Sequence, residues 1–400
     1  MMTGISSLVH ERISCLLERG YIVRLFHPQV PSGDESSSPG SVGLHELQEF
    51  DNFSSVAFPT VRNPLRRSFP DPASHRVWND SELLRDFAPD VITVDEAAGL
   101  YGAASGWLRG YGQPVGVRYA KQHGIPCINL MQTDWQGYCE HYMGVAPFRL
   151  LVPVVRKLMK PLAAGYDANL SPSQFLMERN QAIYSNGVKH LSFHGVDTDR
   201  FTPDNIRFNP LPDDDQPLIL STGRIAREKT VWQLLQAFRC VQASCPSARL
   251  AVLGRGPLLN KLRKAARPFG DRLLVPGAVF GEQLKGWYAR ANVYWTASRT
   301  ENFSAGILES LASGTPVVAA AAGGNTEQVQ NGISGFLVPV NNACTMAERT
   351  IEILKHPDLQ RCMSIAARER ALELSLENAT DRLLEYLHAM LDRSKMTAAL

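Results

Sequence analysis

From Tyr294 to Ala319 the chain reads YWTASRTENFSAGILESLASGTPVVA, and this stretch constrains the fold more than any other. Its residue pattern predicts a buried strand at Val293–Thr296, a loop carrying Glu301, and a helix that begins near Ser304 and carries Glu309. A Gly-Thr-Pro turn and a second apolar strand from Val317 to Ala319 follow. Two carboxylates therefore stand on either side of a loop-to-helix junction. The first backbone N–H groups of a helix lack intrahelical partners, so those near Phe303, Ser304 and Ala305 are expected to face an anion docking there.

Two stretches upstream extend the pattern. In LILSTGRIAREK an apolar strand (Leu218 to Leu220) breaks at Gly223 into Arg224 and Lys229. Arginine can fork onto phosphate oxygens while lysine adds a point charge, which suits a diphosphate; an exposed basic helix start would read the same way. In LAVLGRGP a strand ends at Gly254-Arg255-Gly256, where glycines let the backbone approach a ligand closely or simply form a turn.

In this order and spacing, the three motifs resemble the family 4 retaining glycosyltransferases, whose signature is Glu-x7-Glu with an upstream Gly-Arg-x4-Lys. The resemblance implies an α/β chain with the GT-B fold, two Rossmann-like domains facing across a cleft. It implies that Arg224, Lys229 and Glu301 are catalytic, with Glu301 toward the donor sugar and Glu309 on the ribose hydroxyls. The nucleotide would also meet Gly4, Gly223, Gly254, Gly256, Val279, Asn302, Phe303, Ser304 and Ala305. Val279 enters through PGAVF, expected near the nucleobase. Family members often carry glycine where this chain has Asn302 and Ser304, and side chains there would narrow the donor pocket or select another sugar.

A chain of 400 residues with 44% hydrophobic and 20% charged residues is long enough for two ordinary domains. Lys plus Arg exceeds Asp plus Glu by only two, so no global field attracts nucleic acid, and none is expected as a partner. Seven scattered cysteines without a C-x-x-C pair argue for reduced thiols, a cytoplasmic setting and no zinc. No apolar run is long enough to span a bilayer.

The first half alternates strands and helices, as a parallel sheet covered on both faces requires. Helical spacing from Ile5 to Leu17 ends at Gly20, before a strand at Tyr21–Phe26. The family's pattern puts a strand ahead of this helix; Met1-Met2-Thr3-Gly4 begins at the turn. Either the chain starts short of that strand or the sheet lacks it, and Gly4 is what remains of the turn that approaches phosphates. Residues 31–42 read as a mobile loop, TVRNPLRRSFPDP as a Pro-punctuated basic segment, and Cys127–Met131 as a strand.

Beyond that strand stands MQTDWQGYCEHYMG. Ligands in open α/β sheets bind outside the carboxyl ends of strands, so Gln132, Asp134, Tyr138 and His141 are candidates for the substrate, against a plain hydrogen-bonded loop. The segment resembles the branch containing sulfoquinovosyl-diacylglycerol synthases and GDP-mannose-dependent mannosyltransferases. Next, APFRLLVPVVRKLMKPLAAGY has an apolar stripe with Arg149, Arg156 and Lys160 on another side. It could rest on an anionic membrane as a peripheral contact, or pack in the core with a solvated basic face.

HLSFHGVDTDRFTPDN resembles the family's hinge entry, with His194 in place of Asn; Asp197 and Asp199 imitate a metal-binding D-x-D, but the hinge pattern claims them and no metal is expected. The domains divide as 1–203 on the acceptor side, a linker at 204–215, a nucleotide-sugar domain at 216–375, and a helix at 376–400 that crosses back to the first. The function implied is retaining transfer of a hexosyl group from a UDP- or GDP-sugar to an acceptor hydroxyl, on a glycolipid or diacylglycerol first and on a small natural product or sugar second. No cofactor is expected beyond the donor. The rivals are a sugar-nucleotide 2-epimerase and a non-catalytic nucleotide-sugar-binding protein.

Overall fold

The computed structural model describes residues 4–28, 44–58, 60–63, 66–72, 82–95, 116–132, 134, 153, 157, 164–182, 184, 187–211 and 216–398. The expected loop at 31–42, most of the basic apolar segment at 146–163, and the candidates Tyr138 and His141 lie outside them. Contacts divide the chain into one unit of Met1–His194 with Ala379–Leu400 and a second of Gly195–Asn378.

In the first unit, helix α1 (Gly4–Glu18) leads into β1 (Val23–Pro28), and a short helix α2 (Leu44–Leu47) precedes β2 (Phe53–Phe58). β1 and β2 pair in parallel, Val23 opposite Phe53 through Pro28 opposite Phe58. Ile13 and Leu17 of α1 are buried on Leu47, with Val9, Val23, Leu25 and Phe53 packed around them. This is the apolar stripe that the helical spacing predicts. The basic segment read as Pro-punctuated is instead an antiparallel pair, β3 (Thr60–Asn63) with β4 (Arg66–Pro72).

A short helix α3 (Glu82–Arg85) is followed by β5 (Ile92–Asp95), α4 (Val117–His123), β6 (Cys127–Leu130), β7 (Ala168–Ser171), α5 (Gln174–Asn180) and β8 (Lys189–His190). The four strands form a parallel sheet in sequence order. One face holds Ile128, Leu130, Leu170 and Phe193, covered by Leu383 of the final helix. The other holds Val117, Ala120, Cys127 and Tyr166. The Cys127 thiol is pushed up to about 12, first by burial and then by the Asp167 carboxylate, so it behaves as a small core residue. Ser173 caps α5 by accepting the Leu176 N–H at 3.2 Å.

The second unit begins with a 3-10 turn (Pro203–Phe208) and continues β9 (Leu218–Thr222), α6 (Val231–Ser244), β10 (Arg249–Leu253), α7 (Leu259–Ala266), β11 (Leu273–Gly277), α8 (Gly281–Arg290), β12 (Val293–Thr296) and α9 (Ala305–Ala312). Then come β13 (Val317–Ala320), α10 (Asn325–Gln328), β14 (Gly335–Val338), α11 (Ala343–Lys355), α12 (Pro357–Glu373) and α13 (Leu376–Ala398), whose residues from Ala379 onward belong to the first unit. The sheet is parallel throughout, in the order β11-β10-β9-β12-β13-β14.

Alternation along the strands sorts side chains between two helical layers. Ile219, Leu250, Val252 and Trp295 meet Phe238, Val241, Met346 and Ile353 on one face. Leu218, Leu220, Ala251 and Tyr294 meet Tyr288, Leu308, Leu311 and Ala367 on the other. Trp295 is fully buried, and its indole N–H donates to Thr350 Oγ1 at 2.7 Å, which removes the penalty an unmade bond would carry.

The segment after His194 packs into this second unit. Val196 exchanges backbone bonds with Leu374 and Leu376, Phe201 lies edge-on to Tyr288, and Arg368 donates to the carbonyls of Thr198 and Phe201. Asp197 Oδ1 accepts the N–H groups of Asp199 and Arg200, so the D-x-D look-alike has a turn-forming aspartate in it.

Candidate functional site

The ends of β9 and β10 are pressed together by glycine. Gly254 has φ of +142°, and a Cβ there would stand 1.8 Å from the Gly223 carbonyl oxygen; a Cβ on Gly256 would stand 2.2 Å from that of Ile225. Gly223 N–H donates to Leu253 O, and Ile225 N–H to Arg255 O. The two glycine motifs read separately from the sequence thus form one backbone crossing, and any side chain at Gly254 or Gly256 would part it.

Past Gly223, Arg224 is half-exposed and lies 3.6 Å from Glu228, in the 3-10 turn at Arg227–Lys229. Lys229 forms an ion pair with Glu301 of the loop after β12. The same two loops are stitched by Thr230 Oγ1 donating to Ala297 O, and by Ser298 Oγ donating to Glu228 O at 3.4 Å. Lys229 and Glu301, assigned by sequence to different parts of a ligand, therefore meet each other.

Glu301 and Asn302 rest on a second glycine pair. A Cβ on Gly323 would lie 1.9 Å from Glu301 O, one on Gly324 would lie 1.7 Å from Asn302 O, and Gly324 N–H donates to Glu301 O at 2.9 Å. Glycine is the residue that allows this contact.

Helix α9 begins as expected, with Ser304 at the cap accepting the Ile307 N–H. One expectation is corrected here. The Ser304 N–H donates to Gln328 Oε1 at 2.8 Å, and Gln328 Nε2 returns a bond to Ser304 O at 3.0 Å. That amide is already used within the unit, which moves the expected anion-facing group to the N–H of Ala305 and its successor. Phe303 is half-buried against the core below the helix.

Glu309 sits one turn inside α9, half-buried. Tyr288 O–H donates to Glu309 Oε2 at 2.6 Å, and Thr222 Oγ1 lies 2.6 Å from the Tyr288 oxygen and 3.2 Å from that of Tyr294. Burial pushes the Glu309 pKa up to about 7, while the Tyr288 hydrogen bond and the Arg200 guanidinium pull the other way. Burial and the Glu309 charge hold the Tyr288 phenol well above its ordinary range, so it stays a donor. Tyr288 and Thr222 carry no motif and were missed; only their helical and strand settings are readable from sequence.

Val279 is half-buried and lines an open groove of about 450 Å³ with Phe208, Pro276, Gln283 and Trp287. Phe280, beside it, is 52% exposed.

In the first unit, Gly4 is the first residue of α1. Arg12 of α1, 4% exposed, donates from Nη2 to both oxygens of Asp95 at the carboxyl end of β5, at 2.9 and 2.8 Å. Gln132, just past β6, donates from Nε2 to Asp95 Oδ1 at 2.6 Å and accepts the His194 Nε2–H on Oε1 at 2.7 Å. Both ends of the Gln132 amide are thus engaged. His194 is held neutral, its pKa lowered well below the ordinary value by burial and then by the Arg12 charge. Asp134 is buried and pairs with Arg179 at 3.0 Å. Tyr138 lies outside the described residues.

Among the described residues no three His, Cys, Asp or Glu side chains gather as metal ligands, and no helix is long and apolar enough to cross a membrane.

Comparison with known proteins returns the family that the motifs resemble. Residues 203–370 match the family described as Glycosyl transferases group 1. The chain is a glycosyltransferase. A GDP-mannose-dependent alpha-mannosyltransferase of Mycolicibacterium smegmatis is 28% identical over 100% of this chain and 96% of its own length. A GDP-mannose-dependent alpha-(1-6)-phosphatidylinositol monomannoside mannosyltransferase of Mycobacterium tuberculosis is 28% identical over 55% of this chain and 60% of that one. Among solved structures, Anabaena HepE in complex with UDP and glucose superimposes with a TM-score of 0.69 at 16% identity, over 95% of each chain. The fold of this glycosyltransferase is GT-B, and its α/β units carry the parallel sheets that the fold requires.

Proposed function

We propose that this glycosyltransferase transfers a hexosyl group, with retention at the anomeric carbon, from a nucleoside-diphosphate sugar to an acceptor hydroxyl on a lipid-linked sugar or diacylglycerol. GDP-mannose is the first donor to test, because a relative named for that donor aligns over the whole chain. The observation that carries the reading is the joining of the loops after β9 and β12, where Lys229, Glu301 and the start of α9 converge in one unit.

In this reading Arg224 and Lys229 meet the diphosphate, Glu301 meets the sugar, and Glu309 meets the ribose. The Val279 backbone lies toward the nucleobase, with Gly223, Gly254 and Gly256 shaping the phosphate loop. As the bond from the anomeric carbon to the phosphate oxygen breaks, negative charge grows on the leaving diphosphate, and fixed cations with helix-terminal N–H groups lower that barrier. The acceptor oxygen bonds to the same face of the carbon, and its proton passes to the leaving phosphate oxygen, so the step balances without a protein nucleophile. Asp134 and Tyr138 are assigned to the acceptor side.

The test is transfer from GDP-mannose and from UDP-glucose to lipid acceptors in vesicles with and without anionic lipid, with the product anomer read by NMR. An α-linked product from an α-donor is expected. An inverted product overturns retention, and epimerised donor without transfer overturns the proposal.

A further inference from the structure

The hydroxyls behind Glu309 form a directed chain. A carboxylate only accepts hydrogen bonds, so the bond to Glu309 Oε2 uses the Tyr288 proton. The Tyr288 oxygen can then only accept from Thr222, 2.6 Å away, while the Tyr294 hydroxyl has both Thr222 Oγ1 at 3.2 Å and the Thr222 carbonyl at 3.4 Å as acceptors. The order is Tyr294 on β12, Thr222 at the end of β9, Tyr288 on α8, Glu309 on α9. Thr222 immediately precedes Gly223 and Arg224, so the relay ties the start of the phosphate loop to the carboxylate on a different element.

The packing leaves this chain little freedom. Tyr288 and Tyr294 are buried, and their ring centroids are 5.8 Å apart. A Cβ on Gly306 of α9 would lie 2.2 Å from the Tyr294 hydroxyl and 3.0 Å from Thr222 Oγ1, so the helix rests directly on the relay. At Glu309 the other oxygen, Oε1, accepts no hydrogen bond among the described residues.

We propose that Tyr288, backed by Thr222 and Tyr294, is a positioning residue that fixes Glu309 through Oε2 and presents Oε1 to the ribose of the donor nucleotide. This rests on the reading of Glu309 as the ribose-binding carboxylate. The relay also sets when that carboxylate carries its charge. The groups facing it are Tyr288 from α8, Tyr294 from β12, and Arg200 from the segment after β8, with Glu301 acting on Tyr294 from the loop before α9. Its pKa of about 7 makes Glu309 half-protonated near neutrality, and a protonated carboxyl is the poorer acceptor for ribose hydroxyls. Nucleotide affinity therefore falls as pH drops through 7. Tyr288 stabilises the ionised form, so its removal moves that midpoint upward.

The experiment is calorimetric binding of GDP and of UDP to the full chain from pH 5.5 to 8.5, for wild type, Tyr288→Phe, Thr222→Val and Glu309→Gln, each checked for cooperative unfolding. Tyr288→Phe is expected to bind the preferred nucleotide about tenfold more weakly at pH 7, from loss of one charge-assisted bond, with its midpoint displaced to higher pH. Thr222→Val, which keeps the side-chain shape, should shift both in the same direction by less, and it serves if Tyr288→Phe does not fold. Glu309→Gln should bind weakly with no midpoint. If Glu309→Gln binds weakly while Tyr288→Phe and Thr222→Val keep the wild-type affinity and midpoint, the relay is packing only and the proposal falls alone. If Glu309→Gln binds as wild type does, the assignment of Glu309 to the ribose falls, and the relay's role with it.

Discussion

Each unit places a buried polar cluster at the carboxyl ends of a parallel sheet, and the two clusters differ in what they leave open. In the first, Arg12, Asp95, Gln132 and His194 hand hydrogen bonds from one to the next, from a helix through two strand ends to the segment after β8. In the second, the relay ends on a carboxylate with one oxygen still able to accept. In the first the acceptors of Asp95 and Gln132 are engaged, although Arg12 Nη1 is buried without a hydrogen-bond partner among the described residues; in the second the chain ends on an acceptor. The same edge of the same kind of sheet thus carries two arrangements, one with its acceptors engaged and one with an acceptor left over, and the proposed nucleotide site is the second.

The largest expected effect tests the closed network. Arg12→Ala leaves the Asp95 carboxylate without its buried guanidinium partner and should cost about 3 kcal/mol of stability in chemical denaturation. Nucleotide affinity at saturating folded protein should not change, and a loss of affinity without a loss of stability would dissolve the contrast between the clusters. Next comes the open site: Lys229→Ala should lower turnover by about thirtyfold with donor saturating. A near-normal rate would remove Lys229 from the phosphate.

The two clusters should also respond oppositely to pH. Glu309 has a folded pKa raised to about 7 from 4.5. Between those values the folded state binds more protons than the unfolded one, so this group's contribution is present in acid and is lost as pH rises through 7. Glu309→Gln should therefore raise the stability of the ligand-free protein at pH 8 by about 1 to 2 kcal/mol while weakening nucleotide binding. His194 has the reverse sign. Its folded pKa lies well below 6.5, so the unfolded state takes up the extra proton and stability falls as pH drops below 6.5. His194→Asn should flatten that acid limb with the smallest effect at pH 8, as thermal unfolding across pH would register.

The sequence made the second site readable because its parts are local. Glu301 and Glu309 share one loop-helix junction, and Arg224 and Lys229 follow one strand, so each motif could be picked out locally, while the roles proposed for them come from the family resemblance. The strands Val293–Thr296 and Val317–Ala320 were legible for the same reason: each is a short apolar run bounded by turn residues. What stayed hidden depends on distant residues meeting. Thr222 and Tyr288 are 66 positions apart, and neither stands out in composition. Gln132 looked available because its bonds go to Asp95 and His194, far away in the chain. TVRNPLRRSFPDP was legible only as a Pro-punctuated basic segment; the antiparallel pair within it places a proline at a strand's end, Pro72 opposite Thr60.

The final helix has a consequence for how this protein is made. Leu383 and its neighbours cover Ile128, Leu130 and Leu170, a surface translated long before them. While the ribosome works through the second unit, that oily patch must wait uncovered, exposed to chaperones and to other nascent chains. A message cut short before the last exchange of segments would release a product with its second sheet complete and its first still sticky.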